Sequence, residues 1–156
     1  MRENEERATA IPTTVEQHKE PKARHLGDIS RTPNVCELIL IRHGETAWNL
    51  ESRWQGHLDS AWTPLGVQQA RAVADRLARS GLTALYSSDL GRARETATHI
   101  ADKTGLSIIS EPGLRERALG VFQGLSLSEI RAQHPAEFER FHSRDPDHII
   151  PQGESL

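Results

Sequence analysis

The sequence predicts an α/β fold built on a mostly parallel central sheet, and three observations lead there. Leu38-Ile39-Leu40-Ile41 is an unbroken aliphatic run, the composition of a parallel strand covered on both faces rather than the in-out alternation of an antiparallel one. Two helical segments follow it, the first opened by proline and both closed by glycine. Strand, helix, strand, helix, strand then succeed one another from Asn34 onward, an order that calls for parallel strands joined by right-handed crossovers.

Each element has a local reason. Residues 37–41 read as a buried first strand. Thr63-Pro64 opens a helix with a capping hydroxyl ahead of proline at the first helical position, and Gly81 closes it. Ala70, Val73, Ala74, Leu77 and Ala78 form its inward stripe. Residues 82–87 give a second strand, 92–103 a second helix stopped by Gly105, and 106–109 a third strand. Ser126-Leu127-Ser128-Glu129 is a capping box that starts a further helix, which Pro135 interrupts.

Composition bounds the function. The chain of 156 residues has room for one ordinary domain, with 36% apolar residues to fill a core and a net charge of −3 that argues against a general nucleic-acid binder. No run of about 18 apolar residues is present to span a bilayer, and the amino terminus lacks the charged-then-apolar pattern of a secretory signal. Cys36 is the lone cysteine and has no internal partner, which fits a reducing compartment. A cytoplasmic protein is therefore expected, with no membrane partner. Residues 1–34 alternate acids and bases without a helical or strand period, and a disordered charged tail is expected there, ahead of a domain at residues 35–156.

Chemistry is expected at the strand ends, where α/β folds place ligands. Arg42-His43-Gly44 follows the first strand, with Asn49 and Arg53 beyond it. Ser87, Ser88 and Arg92 stand after the second, at a helix amino terminus, and Arg115, Glu116 and Arg117 after the third. Guanidinium groups suit phosphoryl oxygens because their planar fork pairs two at once, and a helix amino terminus adds oriented N–H donors. A histidine with an ordinary pKa of about 6.5, kept neutral by Arg42, can attack phosphorus. Glu116 can serve as the general acid if its carboxyl is held protonated by burial or by a bound dianion, provided that Arg115 and Arg117 point elsewhere.

These residues resemble a known family. Leu38-Ile39-Leu40-Ile41-Arg42-His43-Gly44-Glu45-Thr46-Ala47-Trp48-Asn49 looks like the signature of the histidine phosphatase superfamily, the phosphoglycerate mutase-like proteins. The likeness continues through Arg53-Trp54-Gln55-Gly56, Asp59, Leu65-Gly66, Ser87-Ser88-Asp89-Leu90-Gly91-Arg92-Ala93 with Thr96-Ala97, and Leu114-Arg115-Glu116 with Gly120 and Gln123-Gly124. The resemblance implies a three-layer αβα fold with a mostly parallel sheet. It makes His43 the residue that is phosphorylated, Arg42 and Arg92 the holders of the phosphoryl oxygens, and Glu116 the acid. Asn49, Arg53, Gln55, Gly56 and Arg117 would line the substrate side. The implied partner is a small phosphorylated substrate, with neither metal nor organic cofactor.

Two departures shape the expected activity. Leu119 stands where the family's mutases carry a tyrosine three residues after the acid, and the long basic insertion that holds a phosphoglycerate is missing, so the phosphatase branch is expected. The second catalytic histidine that the resemblance calls for, in a later strand-end His-Gly, is not found. Residues 151–156, Pro-Gln-Gly-Glu-Ser-Leu, resemble the segment ahead of it. The chain thus reads as the amino-terminal portion of a histidine phosphatase domain with its carboxyl-terminal part missing, and as a phosphomonoester hydrolase working through a phosphohistidine, inactive as it stands if the second histidine is needed. A mutase-type phosphotransferase and a non-catalytic phospho-ligand binding pseudoenzyme are the alternatives. His57, His99, His134, His142 and His148 read as surface or helix-face residues. The natural substrate and the oligomeric state stay open.

Overall fold

Two short strands and five α-helices make up the frame in a computed structural model, which describes residues 36–143 and 148–155. The charged segment at residues 1–34 lies outside them. Helix α1, Ala47–Leu50, is followed by α2, Pro64–Leu77, then strand β1, Leu85–Ser87, helix α3, Gly91–Thr104, and strand β2, Ile108–Ser110. Single 3-10 turns at Pro112–Leu114 and Gly120–Phe122 lead to α4, Leu127–Gln133, and α5, Pro135–His142. β1 and β2 pair in parallel, Leu85 opposite Ile108 and Ser87 opposite Ser110, with α3 as the crossover. The parallel α/β class is thus observed.

The local signals act as anticipated for the helices. Thr63 caps α2, its hydroxyl accepting from the Gly66 amide at 3.0 Å, and Pro64 occupies the first helical position. Gly105 ends α3 in the left-handed region at φ 73°, which only glycine adopts without strain, and its amide reaches the Ala101 carbonyl. Ser126 and Glu129 form the capping box of α4: the Glu129 amide donates to the serine hydroxyl, and the Ser126 amide donates to the Glu129 carboxylate at 2.8 Å. Pro135 separates α4 from α5 at His134. Ala70, Ala74 and Leu77 are buried as expected, but Ala78 is exposed, because the helix ends at Leu77 and Ala78 becomes its carboxyl cap.

Ala74, Leu77, Leu85, Ala97 and Ile100 form a core between α2, α3 and β1, with Ile39, Leu82 and Ile108 packed at its margin. A second cluster, Phe122, Ile130, Phe138 and Ile150, joins α4, α5 and the carboxyl-terminal segment; Trp54 and Phe141 meet Phe122 edge-on at 5.9 and 6.1 Å. Among the described residues, no helix is long and apolar enough to cross a membrane.

The first strand is the main correction. Residues 37–41 join no ladder among the described residues, although their side chains still alternate. Ile39 packs on the core, while Leu38 and Leu40 are 80% and 92% exposed. A strand needs a neighbour's backbone beside it and cover on both faces. Here one face alone is covered, and a groove rather than a backbone ladder separates residues 37–41 from β1, whose one pairing among the described residues is with β2. The other two strands are shorter than expected for a related reason: residues 82–84 and 106–107 lead into the sheet without meeting a partner. Helix α1 was not anticipated, since four residues are too few to show a period.

Candidate active site

Gly44 is the point where the histidine loop is fastened. A Cβ added there would lie 2.5 Å from the Gly66 carbonyl oxygen and 2.8 Å from the Trp62 ring, so the absence of a side chain is what lets α2 approach. The Gly44 amide donates to the Thr96 hydroxyl at 3.2 Å, the Glu45 amide to the Gln69 side chain at 2.9 Å, and the Thr63 hydroxyl to the Glu45 carboxylate at 2.7 Å. Two helices, α2 through Gln69 and α3 through Thr96, therefore hold residues 44–45. His43 is held just ahead of that grip.

The imidazole is half-buried and its Nδ1 lies 2.7 Å from the Gly44 carbonyl oxygen. A carbonyl can only accept, so Nδ1 carries the proton and Nε2 keeps its lone pair. Burial lowers the His43 pKa below 6.5, and the charges of Arg92 and Arg42 add to the lowering, against the opposing pull of the Gly44 carbonyl and of Asp59. The neutral ring is favoured at neutral pH. The first motif also opens on a groove of about 800 Å³ between residues 37–43 and β1, where Arg42, His43, Ser87 and Ser88 stand among apolar neighbours.

Arg92 lies at the start of α3 and is 96% buried, being 4% exposed. Its Nη1 donates to the Leu58 carbonyl at 2.8 Å and to Asp59 Oδ1 at 3.1 Å, and its Nη2 to the Gly56 carbonyl at 2.7 Å. Those three acceptors aim the guanidinium. The expectation that the α3 amino terminus offers its N–H groups to a phosphoryl group needs correction. The Asp59 carboxylate already occupies them, accepting from the Gly91 amide at 2.7 Å and the Arg92 amide at 3.2 Å. A carboxylate is well placed at the positive end of a helix dipole, which explains the preference. Ser87 and Ser88 are buried in local bonds: the Ser87 hydroxyl donates to the Ser88 carbonyl and the Ser88 hydroxyl accepts from the Leu90 amide.

Glu116 is exposed, and its Oε1 accepts from the Arg117 amide at 2.9 Å. Its flanking arginines do point elsewhere. Arg115 forms a two-pronged ion pair with Asp89, which holds that carboxyl below the usual range, while Arg117 lies 5.8 Å from the centre of the Phe141 ring. His57 keeps a partly exposed side chain whose Nε2 donates to the Glu116 carbonyl at 2.7 Å, and its amide donates to the Gln123 side chain at 2.7 Å. His148 departs from the surface reading, being 4% exposed beside Glu137.

The remaining expected site residues are placed apart from this group or play another part in it. Asn49 caps α1, its Oδ1 accepting from the Thr46 amide and hydroxyl at 2.9 and 3.0 Å. Arg53 donates to Glu129 at 2.5 Å, to Glu51 at 2.8 Å and to the Gly124 carbonyl at 2.8 Å, which ties its loop to α4. Gln55 is buried, its Oε1 without a hydrogen-bond partner among the described residues, and Gly56 acts through its carbonyl on Arg92. The charges of Arg92 and Arg42 act on the His43 ring, and the backbone carbonyl of Glu116 meets His57 in the loop at Gly56–Asp59 that holds Arg92. Asp59, Thr96 and Gln123 lie in the motifs, but their own sequence neighbourhood assigns them no role. Their contacts span 33, 52 and 66 residues, so no local spacing announces them. Among the described residues, no three His, Cys, Asp or Glu side chains converge as a metal would need.

Comparison with known proteins follows the same lines. Residues 38–156 match the family model of the histidine phosphatase superfamily (branch 1). A probable phosphoglycerate mutase GpmB of Proteus mirabilis is 42% identical over 122 residues, 78% of this chain and 57% of the relative. The phosphoglycerate mutase-like protein 4 of Arabidopsis thaliana is 45% identical over 130 residues, 81% of this chain and 56% of its own. Among solved structures, a mycobacterial glucosyl-3-phosphoglycerate phosphatase in complex with VO3 superimposes with a TM-score of 0.63 at 39% identity, over 72% of this chain and 54% of that one. The chain spans about half the length of the curated relatives it matches. With a motif set that the family model covers from Leu38 to the last residue, and with α/β neighbours among solved structures, this chain belongs to the histidine phosphatase superfamily, branch 1.

Proposed function

We propose that this chain carries the phosphoryl-accepting part of a phosphomonoester hydrolase. One observation carries the reading: His43 has its Nδ1 proton committed to the Gly44 carbonyl and its Nε2 lone pair available, in a setting where burial, Arg92 and Arg42 favour the neutral ring. A neutral imidazole is the form that attacks phosphorus. Nε2 forms a bond to phosphorus as the ester oxygen departs, and Glu116 hands that oxygen a proton. Water then attacks the phosphohistidine, passing a proton to the Glu116 carboxylate, and inorganic phosphate leaves. Arg42 and Arg92 balance the charge on the equatorial oxygens. The mycobacterial relative is a phosphatase solved in complex with VO3, which supports a phosphomonoester reading.

Hydrolysis is favoured over phosphoryl shuttling between phosphoglycerates because Leu119, in place of a tyrosine, packs on the Phe122 core and offers no hydroxyl. The mutase reading rests on the names of the two curated relatives. A purified chain treated with p-nitrophenyl phosphate and quenched in base should retain phosphate on His43, acid-labile and absent from His43→Ala. Phosphate on a serine or aspartate overturns the assignment. Interconversion of phosphoglycerates without hydrolysis supports the mutase. Tight phosphate binding with neither reaction supports a non-catalytic binder.

A further inference from the structure

One four-residue loop touches both ends of the reaction proposed above. The carbonyls of Gly56 and Leu58 and the carboxylate of Asp59 receive the Arg92 guanidinium. Between them, His57 turns the other way and its Nε2 donates to the Glu116 carbonyl at 2.7 Å. Resting on that reading, we infer that the loop at Gly56–Asp59 sets the spacing between the phosphoryl clamp and the acid, with Asp59 and His57 as positioning residues for Arg92 and Glu116.

Three features make the loop a rigid spacer rather than a passive neighbour. Gly56 sits at φ +54° with the Gln123 side chain packed where a Cβ would be, so the turn into the loop is fixed. Gln123 Oε1 then accepts from the His57 amide at 2.7 Å and from the Leu119 amide at 3.3 Å, which binds the loop to the segment just after Glu116. Asp59 holds both amides at the start of α3 as well as the Arg92 side chain, so the guanidinium and its helix move with the loop as one body. Charge-assisted bonds of this kind are among the stronger ones, and a buried guanidinium keeps its aim only while its acceptors stay in place. Glu154 completes the surroundings of His57, its carboxylate 3.8 Å from Nε2 and bonded to the Ala118 amide at 2.8 Å.

The two halves of the loop should fail differently. Protonation of the leaving oxygen matters for alkyl phosphates and little for p-nitrophenyl phosphate, whose leaving group departs as a stable anion. His57→Ala is expected to lower kcat/KM, which reports phosphoryl transfer to His43 and not the later hydrolysis common to both esters, at least about tenfold more for an alkyl phosphate than for p-nitrophenyl phosphate, with His57→Gln recovering most of the difference. Asp59→Asn is expected to weaken inorganic phosphate as a competitive inhibitor roughly tenfold and to slow both esters alike. Equal losses on the two esters in His57→Ala, or unchanged phosphate inhibition in Asp59→Asn, would overturn the proposal.

Two measurements need no turnover. Phenylglyoxal modification of Arg92, followed by mass spectrometry, should run several-fold faster in Asp59→Asn than in the unaltered chain. The Arg117 amide, which donates to Glu116 Oε1 at 2.9 Å, should shift its NMR resonance in His57→Ala and return in His57→Gln. If the unaltered chain neither hydrolyses esters nor binds phosphate, the functional reading fails, and these two measurements still decide the spacer. An Arg92 rate and an Arg117 resonance that both stay put sink it.

Discussion

The main-chain amide of Gly44 and the hydroxyl of Thr96 are joined at 3.2 Å across 52 residues of sequence, and the same hydroxyl donates to the Arg92 carbonyl at 3.1 Å. One buried side chain thereby ties the histidine loop to the first turn of the helix that presents Arg92.

Thr96→Val keeps the shape and removes the acceptor, leaving the Gly44 N–H buried without a partner. A loss of about 1 to 3 kcal/mol is expected, the ordinary cost of such an orphaned donor. Urea unfolding should show it, and Thr96→Ser should recover most of it. A Thr96→Val midpoint equal to that of the parent would mean the bond contributes nothing.

Gly66→Ala sets two effects against each other. Alanine in a helix interior is better than glycine by about 1 kcal/mol. A Cβ at Gly66 would run into the Glu45 carbonyl, however, and forcing an atom into a packed contact costs about 1 to 3 kcal/mol. The clash is with backbone that Gln69 and Thr63 hold in place, so it wins, and the melting temperature should fall. A rise would show that α2 can shift away at little cost.

The His43 ring should titrate below 6.5 by NMR, since burial and two arginines disfavour its charged form. Arg42→Gln removes one of those charges and should move the midpoint up. Because the folded value lies under the unfolded one, the linked stability is fully present above pH 6.5 and is lost as pH falls toward and below the folded midpoint. The acid limb of any hydrolysis by this chain should follow the same midpoint. A titration above 6.5 would contradict the packing described around the ring.

Glu129 gives a second pH window. The Ser126 amide, Arg53 and the Ser126 hydroxyl hold its carboxyl down to about 2, from an ordinary 4.5. A lowered carboxyl contributes stability above pH 4.5 that fades as pH falls toward about 2. Stability against pH should slope in that window, and Glu129→Gln should flatten the slope. An identical slope in the variant would assign the acid sensitivity to other carboxylates.

Local signals in the sequence were enough for much of this molecule. Thr63-Pro64, Gly105 and Ser126 with Glu129 act within three or four residues of themselves, so caps and helix ends could be read directly, and the alternation of elements gave the parallel α/β class. The Arg42-His43-Gly44 motif likewise marked the histidine loop before any contact was known. Tertiary structure alone decided three other matters. Residues 37–41 have the composition of a covered strand but pair with nothing described, because pairing depends on a neighbour's backbone rather than on the strand's own residues. The amino terminus of α3 has the sequence of a phosphoryl site, but Asp59, reaching it from 32 residues away, fills it with a carboxylate. Arg115 and Arg117 could have suppressed Glu116, and only Asp89 and Phe141 show where their charges go. Short-range hydrogen bonding and backbone preference are written in neighbouring residues; which charge meets which is settled by chain segments that become neighbours only on folding.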